Sequence, residues 1–144
     1  MFVSNFKVFF LALYTIFPML LGAKEEESGK VTINADQMSY DTKGFRANAH
    51  GNVEIIYMIK GKKIIIKSDH LAAVFDQKGA IISAKVDGNV KIDNDETQLK
   101  ANTCDHSFKS NISICYGEPV SIKRNLDEIK GEVATFNFQN NDFS

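Results

Sequence analysis

Cys104, His106 and Cys115 lie close together, and thiol and imidazole groups at short spacing are the raw material of metal sites and nucleophilic catalysis. Their spacing matches no zinc finger or ribbon, which present their ligands as close pairs. The chain has two cysteines and three histidines, and His50, His70 and His106 fall in different segments. An enzyme needs a nucleophile beside a base, or paired carboxylates in a cleft. The sequence offers no Ser-His-Asp set, phosphate loop or glycine-rich nucleotide motif. The expectation is a protein without catalysis, cofactor or metal. In an oxidising compartment the cysteines acquire another chemistry, because they can pair. They flank a turn signal at Lys109-Ser110, and a two-residue turn would set Phe108 opposite Asn111 and Cys104 opposite Cys115.

Export is what the first 23 residues predict. They carry one cation, Lys7, then an apolar run from Val8 to Leu21, then Gly22 and Ala23 before the charged Lys24-Glu25-Glu26-Glu27. This is the layout of a secretory signal cleaved after Ala23. The competing reading is a retained anchor, but the run is shorter than the roughly 20 residues of a spanning helix and contains Pro18. The expected organisation is a signal peptide (1–23), a flexible acidic start (24–30), one domain (31–139) and a flexible tail (140–144). A chain of 144 residues fits a single domain. With 17 basic and 18 acidic residues interspersed, it has no basic stripe to neutralise phosphates, so no nucleic-acid partner is expected.

The domain is written in strands. From Phe45 to Tyr57 the odd positions (Phe45, Ala47, Ala49, Gly51, Val53, Ile55, Tyr57) alternate with positions that are polar from Arg46 to Glu54, the period of a half-buried strand. Ile82, Ala84, Val86, Gly88, Val90 and Ile92 repeat the pattern. Gly51-Asn52-Val53, Gly88-Asn89-Val90 and Gly117-Glu118-Pro119 interrupt the runs, and glycine inside a strand marks a bend or bulge. A second phrase recurs four times: Ile33-Asn34-Ala35-Asp36, Ile66-Lys67-Ser68-Asp69, Leu99-Lys100-Ala101-Asn102 and Ile129-Lys130-Gly131-Glu132. A small residue followed by an acid or amide suits a second corner, with the side-chain oxygen capping the backbone. Corners on both sides of each unit would fold the sheet around an apolar interior. Repeats of this length imply stacked units that cannot bury their apolar faces alone. The predicted class is all-β and antiparallel, with no helix after the leader.

Third-unit parity inverts. Ile112, Ile114, Tyr116, Val120 and Ile122 form the apolar side there, with Ser113 and Cys115 opposite. Either a bulge near Asn111 shifts the strand and turns Cys115 away from Cys104, or both faces are partly covered and the two cysteines oppose and bond.

The ordered set of four corners and three glycine steps, over residues 31 to 138, resembles the OstA-like family. Its small exported members are periplasmic lipopolysaccharide-transport bridge proteins of Gram-negative bacteria. The resemblance implies a folded-over β-jellyroll whose interior receives lipid A acyl chains. It also implies members joined end to end through strand edges between an inner-membrane-anchored component and an outer-membrane translocon. The implied lipid-binding positions are Val31, Ile33, Phe45, Val53, Ile55, Ile64, Ile66, Leu71, Phe75, Ile82, Val86, Ile92, His106, Phe108 and Phe136. His106 stands where the family has an aromatic or aliphatic residue, which makes that region wetter. The same binary pattern also describes a filled sandwich serving as an adaptor without lipid.

Both terminal strands are poorly guarded. The final one, read as Glu132–Asn140, has no Lys, Arg or Pro, and exposed edges normally carry such residues. Val31, Thr32 and Ile33 at one end, and Val133, Thr135, Phe136 and Phe138 at the other, are expected to form partner edges for head-to-tail association. If the leader is cleaved, mass spectrometry of the exported protein will find Lys24 at its N-terminus. An intact leader would instead indicate a membrane-anchored transfer protein.

Overall fold

The computed structural model describes residues 30–140 and the backbone of residues 142–143. The expected leader, most of the acidic segment after it, and residues 141 and 144 lie outside the described residues. Among the described residues nine strands form one antiparallel sheet: β1 (Val31–Asn34), β2 (Gln37–Asp41), β3 (Arg46–Ile59), β4 (Lys62–Phe75), β5 (Ile81–Asn94), β6 (Thr97–Ser107), β7 (Ile112–Arg124), β8 (Asp127–Asn137) and β9 (Asp142–Phe143). β1 and β2 both pair with β3, and from β3 each strand pairs with the next in the sequence. No helix occurs among the described residues. The predicted all-β antiparallel class is therefore the observed one.

The ladder is broken along one line across the sheet. Register shifts fall between His50 and Val53, Lys67 and His70, Asp87 and Val90, Lys100 and Thr103, and Tyr116 and Val120. At the first three one strand carries one extra residue, and at the last two β7 carries two, which bends and twists the sheet. Gly51-Asn52 and Gly88-Asn89 are left-handed pairs, with φ of 78° and 47° and of 85° and 49°. The repeated acids meet them from the neighbouring strand. Asn52 Nδ2 donates to Asp36 Oδ2 (3.0 Å), Asn89 Nδ2 donates to Asp69 Oδ2 (2.9 Å), and the Asp36 amide donates to the Gly51 carbonyl (2.8 Å). The expectation of two separate corners per unit is thus corrected. The small-acid phrase and the glycine step are two halves of one crease, because a bulge on one strand needs its capping group on the next.

The crease divides the sheet into two walls. The first comprises β1 and residues 53–59, 62–68, 90–94, 97–101, 120–124 and 127–131. The second comprises β2 and residues 46–50, 70–75, 81–87, 103–107, 112–116 and 133–137. Tyr57 of β3 and His106 of β6 lie on opposite walls with two strands between their own, yet their side chains touch. Strands are about 4.8 Å apart, so only a folded-over sheet brings them together. One apolar cluster fills the space between the walls.

Several sequence expectations shift. Phe45 lies in the turn before β3, at φ 53°, not on the strand. The parity break in β7 sits at Gly117–Pro119, not near Asn111. Asn111 (φ 58°) belongs to the tight turn that brings Ser107 opposite Ile112. Ser113 and Cys115 therefore face inward, while Ile114 and Tyr116, read as apolar-side residues, point out at 38% and 43% exposure. The last long strand begins at Asp127 and carries Glu128, Lys130 and Glu132. The expected tail supplies β9, which pairs with Phe136 and Asn137. The Asn137 side chain accepts from the Gln139 and Asn140 amides and reverses the chain there.

Two glycines test the crease. An added Cβ at Gly88 would stand 2.7 Å from Asp69 Oδ2 at a φ of +85°, whereas one at Gly61 meets open space at +77°. In urea denaturation Gly61→Ala is expected to cost about 1 kcal/mol of left-handed strain, and Gly88→Ala roughly 2–3 kcal/mol because the carboxylate must also move.

Candidate functional site: the interior and the sheet edges

Most of the residues singled out in the sequence converge between the walls. Ile33, Val53, Ile55, Ile64, Ile66, Leu71, Val86, Ile92, His106 and Phe136 are buried there, and Val31, Phe75 and Phe108 pack against them while partly exposed. Phe45 and Ile82 stay outside the cluster. Beyond Val74 the β4–β5 register slips by one, so Phe75 opposes Ile81, and Ile81 packs against the core instead of Ile82. Met38, Ile59, Val90 and Leu99 are interior residues that the candidate set omitted. Val90 and Leu99 were visible in the alternation and in the repeated phrase. Met38 sits on a short strand with no long alternation to place it.

The interior is not wholly apolar. His106 Nε2 lies 2.6 Å from the Tyr57 hydroxyl, and His106 Nδ1 lies 2.6 Å from Ser113 Oγ. All three side chains are buried. The Tyr57 and His106 rings tilt against each other, and both meet Phe108 and Phe138 edge-on. These rings close the mouth of the fold on the side away from the crease. Beside them Cys104 and Cys115, direct partners in the ladder, form a disulfide with both residues fully buried. Of the two arrangements the sequence left open, the opposed one is present.

On the outer face His50 and His70 are direct ladder partners, with Nδ1 atoms 3.0 Å apart and rings edge to face. Both are exposed, and the fold brings them together from separate segments. Among the described residues no group of three metal-ligating side chains forms.

The edges differ from one another. β1 and β2 make a broken edge on the N-terminal side. On the other side β9 covers β8 at Phe136 and Asn137, while Val133 and Thr135 lie on the uncovered length. Phe136 and Phe138, expected as edge residues, are core side chains. Ile129 opposes Ile122 and so shares its inward face, yet Ile129 is 53% exposed against 4% for Ile122. The inner apolar face therefore runs on uncovered past the end of the core.

Burial pushes the Tyr57 hydroxyl pKa up and the His106 pKa down to about 3. His106 is thus neutral when folded, whereas in the unfolded chain it titrates near 6.5. Below that value the unfolded state takes up a proton that the folded state refuses. Stability is expected to be fully present above about pH 6.5 and to fall by up to about 1.4 kcal/mol per pH unit from there towards pH 3. Urea denaturation at a series of pH values checks this. In His106→Phe the acid slope should flatten, even though stability at neutral pH drops because Tyr57 and Ser113 lose their partner.

No family model matches the sequence, and no curated protein matches it. Among solved structures, the chain is similar to LptH of Pseudomonas aeruginosa, described as the LptA homologous periplasmic component of the conserved lipopolysaccharide transport device. The TM-score is 0.69 at 13% identity, with 85% of each chain covered. At that identity the likeness is one of fold: this chain has the folded-over antiparallel β architecture of the LptA type.

Proposed function

We propose that this chain is an exported lipopolysaccharide-binding protein of the periplasm, which shields lipid A acyl chains between its walls and passes them along a bridge between the membranes. The observation that carries the reading is the inner apolar face left uncovered at Ile129, where a core built only to be closed would end. The fold shared with a periplasmic transport component supports it, and so does a disulfide suited to an oxidising compartment.

Each buried methylene contributes about 0.8 kcal/mol, so about six methylenes supply about 5 kcal/mol. Exposed ion pairs such as Lys62–Glu96 and Lys91–Asp93 belong to a class worth about 0–1 kcal/mol each. Affinity therefore resides between the walls, with rim charges orienting the headgroup. The proposed lining comprises the buried and partly buried candidates from Val31 to Phe136, without Phe45 and Ile82.

The open edges supply the bridge. In this reading the β1–β2 edge receives an inner-membrane-anchored component or the preceding copy. The free length of β8, including Val133 and Thr135, receives the next copy or the outer-membrane translocon by strand addition. Lys130 and the flanking acids leave this edge soluble when unpaired. No catalysis or cofactor is required.

A photo-crosslinker at Phe75, at the margin of the interior, should capture lipopolysaccharide, while one at exposed Ala72 on the same strand should not. Capture at Phe75 alone supports the carrier. Silence at both positions in folded protein would give precedence to the adaptor reading, in which the interior stays filled and only the edges bind.

A further inference from the structure

Among the described residues the interior holds five buried polar side chains besides Tyr57, and most of them hold the crease and the turns in place. Ser68 Oγ donates to the His70 carbonyl at the crease, Asn94 Oδ1 accepts from the Thr97 amide in a turn, and Thr97 Oγ1 accepts from Arg124 Nε. The Tyr57–His106–Ser113 chain serves no backbone group. Three apolar side chains of similar size would fill the same space without the cost of drying polar atoms. Such a group in a native interior calls for an explanation.

Its hydrogen count supplies one. With a neutral imidazole the three side chains carry three polar hydrogens, and two contacts use two of them. If Ser113 donates to Nδ1, then Nε2–H donates to Tyr57 and the phenolic hydrogen is left over. If Tyr57 donates to Nε2, then Nδ1–H donates to Ser113 and the serine hydrogen is left over. Neither end has a further partner among the described residues.

The placement matters as much. Tyr57 belongs to the first wall and His106 to the second, so their contact spans the interior at its mouth, between the rings of Phe108 and Phe138. An alkyl chain lodged between the walls at this level separates the two and leaves a buried donor and a buried acceptor unmatched. A hydroxyl both donates and accepts, so it can stand between Tyr57 and His106 and satisfy each. An ester carbonyl only accepts, and cannot do both.

We propose that Tyr57 and His106, positioned by Ser113, form a hydroxyl-recognition site that selects acyl chains bearing a hydroxyl group over plain ones. The proposal rests on the lipid-carrier reading and adds to it a chemical preference within the lipid.

The probes are myristate and 3-hydroxymyristate, each titrated below its micellar concentration into the purified protein, with displacement of a fluorescent fatty acid as the readout. The wild-type protein should bind the hydroxylated acid about tenfold more tightly, a difference of about 1.4 kcal/mol. Tyr57→Phe, which keeps the ring and removes the hydroxyl, should bring the ratio close to one while myristate still binds. Equal affinity of the wild-type protein for the two acids overturns the hydroxyl site and leaves the carrier standing. Binding of neither acid to folded protein overturns the carrier reading and the proposal together. The comparison of the two acids on the wild-type protein depends on no variant, so a folding defect in Tyr57→Phe would not blunt the test.

Discussion

Everything in this molecule depends on the contact between a left-handed Gly-Asn step and a carboxylate on the neighbouring strand. Without it, strands as long as β3 to β5 would form a flat sheet with one apolar face open to water. The step inserts an extra residue, which the ladder accommodates only as a bulge. Gly51 and Gly88 allow the backbone to take positive φ where a Cβ would strike the acid. Asp36 and Asp69 then hold the asparagine amides across the gap. Because the same line is creased on each long strand, small local bends add into a complete fold-over.

The period follows from this geometry. An acid and the next acid lie two strands apart, since the strand between them carries the glycine step. The spacings of 33, 33 and 30 between Asp36, Asp69, Asn102 and Glu132 are therefore the length of one out-and-back passage across both walls. The third step departs from the pattern. Gly117-Glu118-Pro119 places three residues against Glu132 and contains the cis Glu118–Pro119 bond. Its outcome is the same bend with inverted parity, which turns Tyr116 out and Val120 in.

This explains which parts were legible in the sequence. Period-two alternation placed Ala47, Ala49, Val53, Ile55 and Tyr57 on one face because Ala49 and Val53, on either side of the Gly51-Asn52 step, stay an even number of residues apart. The glycine steps and the acids were both visible, but their pairing was not, because it joins neighbouring strands and no one-dimensional pattern states which bend meets which. Ile81 and Ile82 show the same limit. Both are aliphatic and adjacent, and a single-residue slip opposite Phe75 decides between them. The Cys104–Cys115 pairing turned on where β7 breaks parity. A bulge at Asn111 and one at Gly117 leave similar alternation over the few residues between them. The polar chain from Tyr57 to Ser113 needed the whole fold, since its members come from strands that are not all neighbours.

A packed interior and a carrier role are compatible for a reason built into this topology. The ladder hydrogen bonds lie within a wall or along the crease, and none crosses the interior. The disulfide does not tie the walls together either, since Cys104 and Cys115 both belong to the second wall. What spans the mouth is side chains: Tyr57 from one wall against His106, Phe108 and Phe138 from the other. Parting the walls therefore breaks apolar contacts and the Tyr57–His106 hydrogen bond while leaving the strand ladder paired. In the carrier reading an entering acyl chain would restore apolar contacts of the same kind. The crease would be the hinge of such a motion. The creased backbone is held by its own carboxylate–amide bonds, so the strain of opening falls on the mouth. That is also where the Tyr57–His106 hydrogen bond joins the two walls, so in the carrier reading the mouth is the seam that parts and the place where the proposed hydroxyl site would meet its ligand.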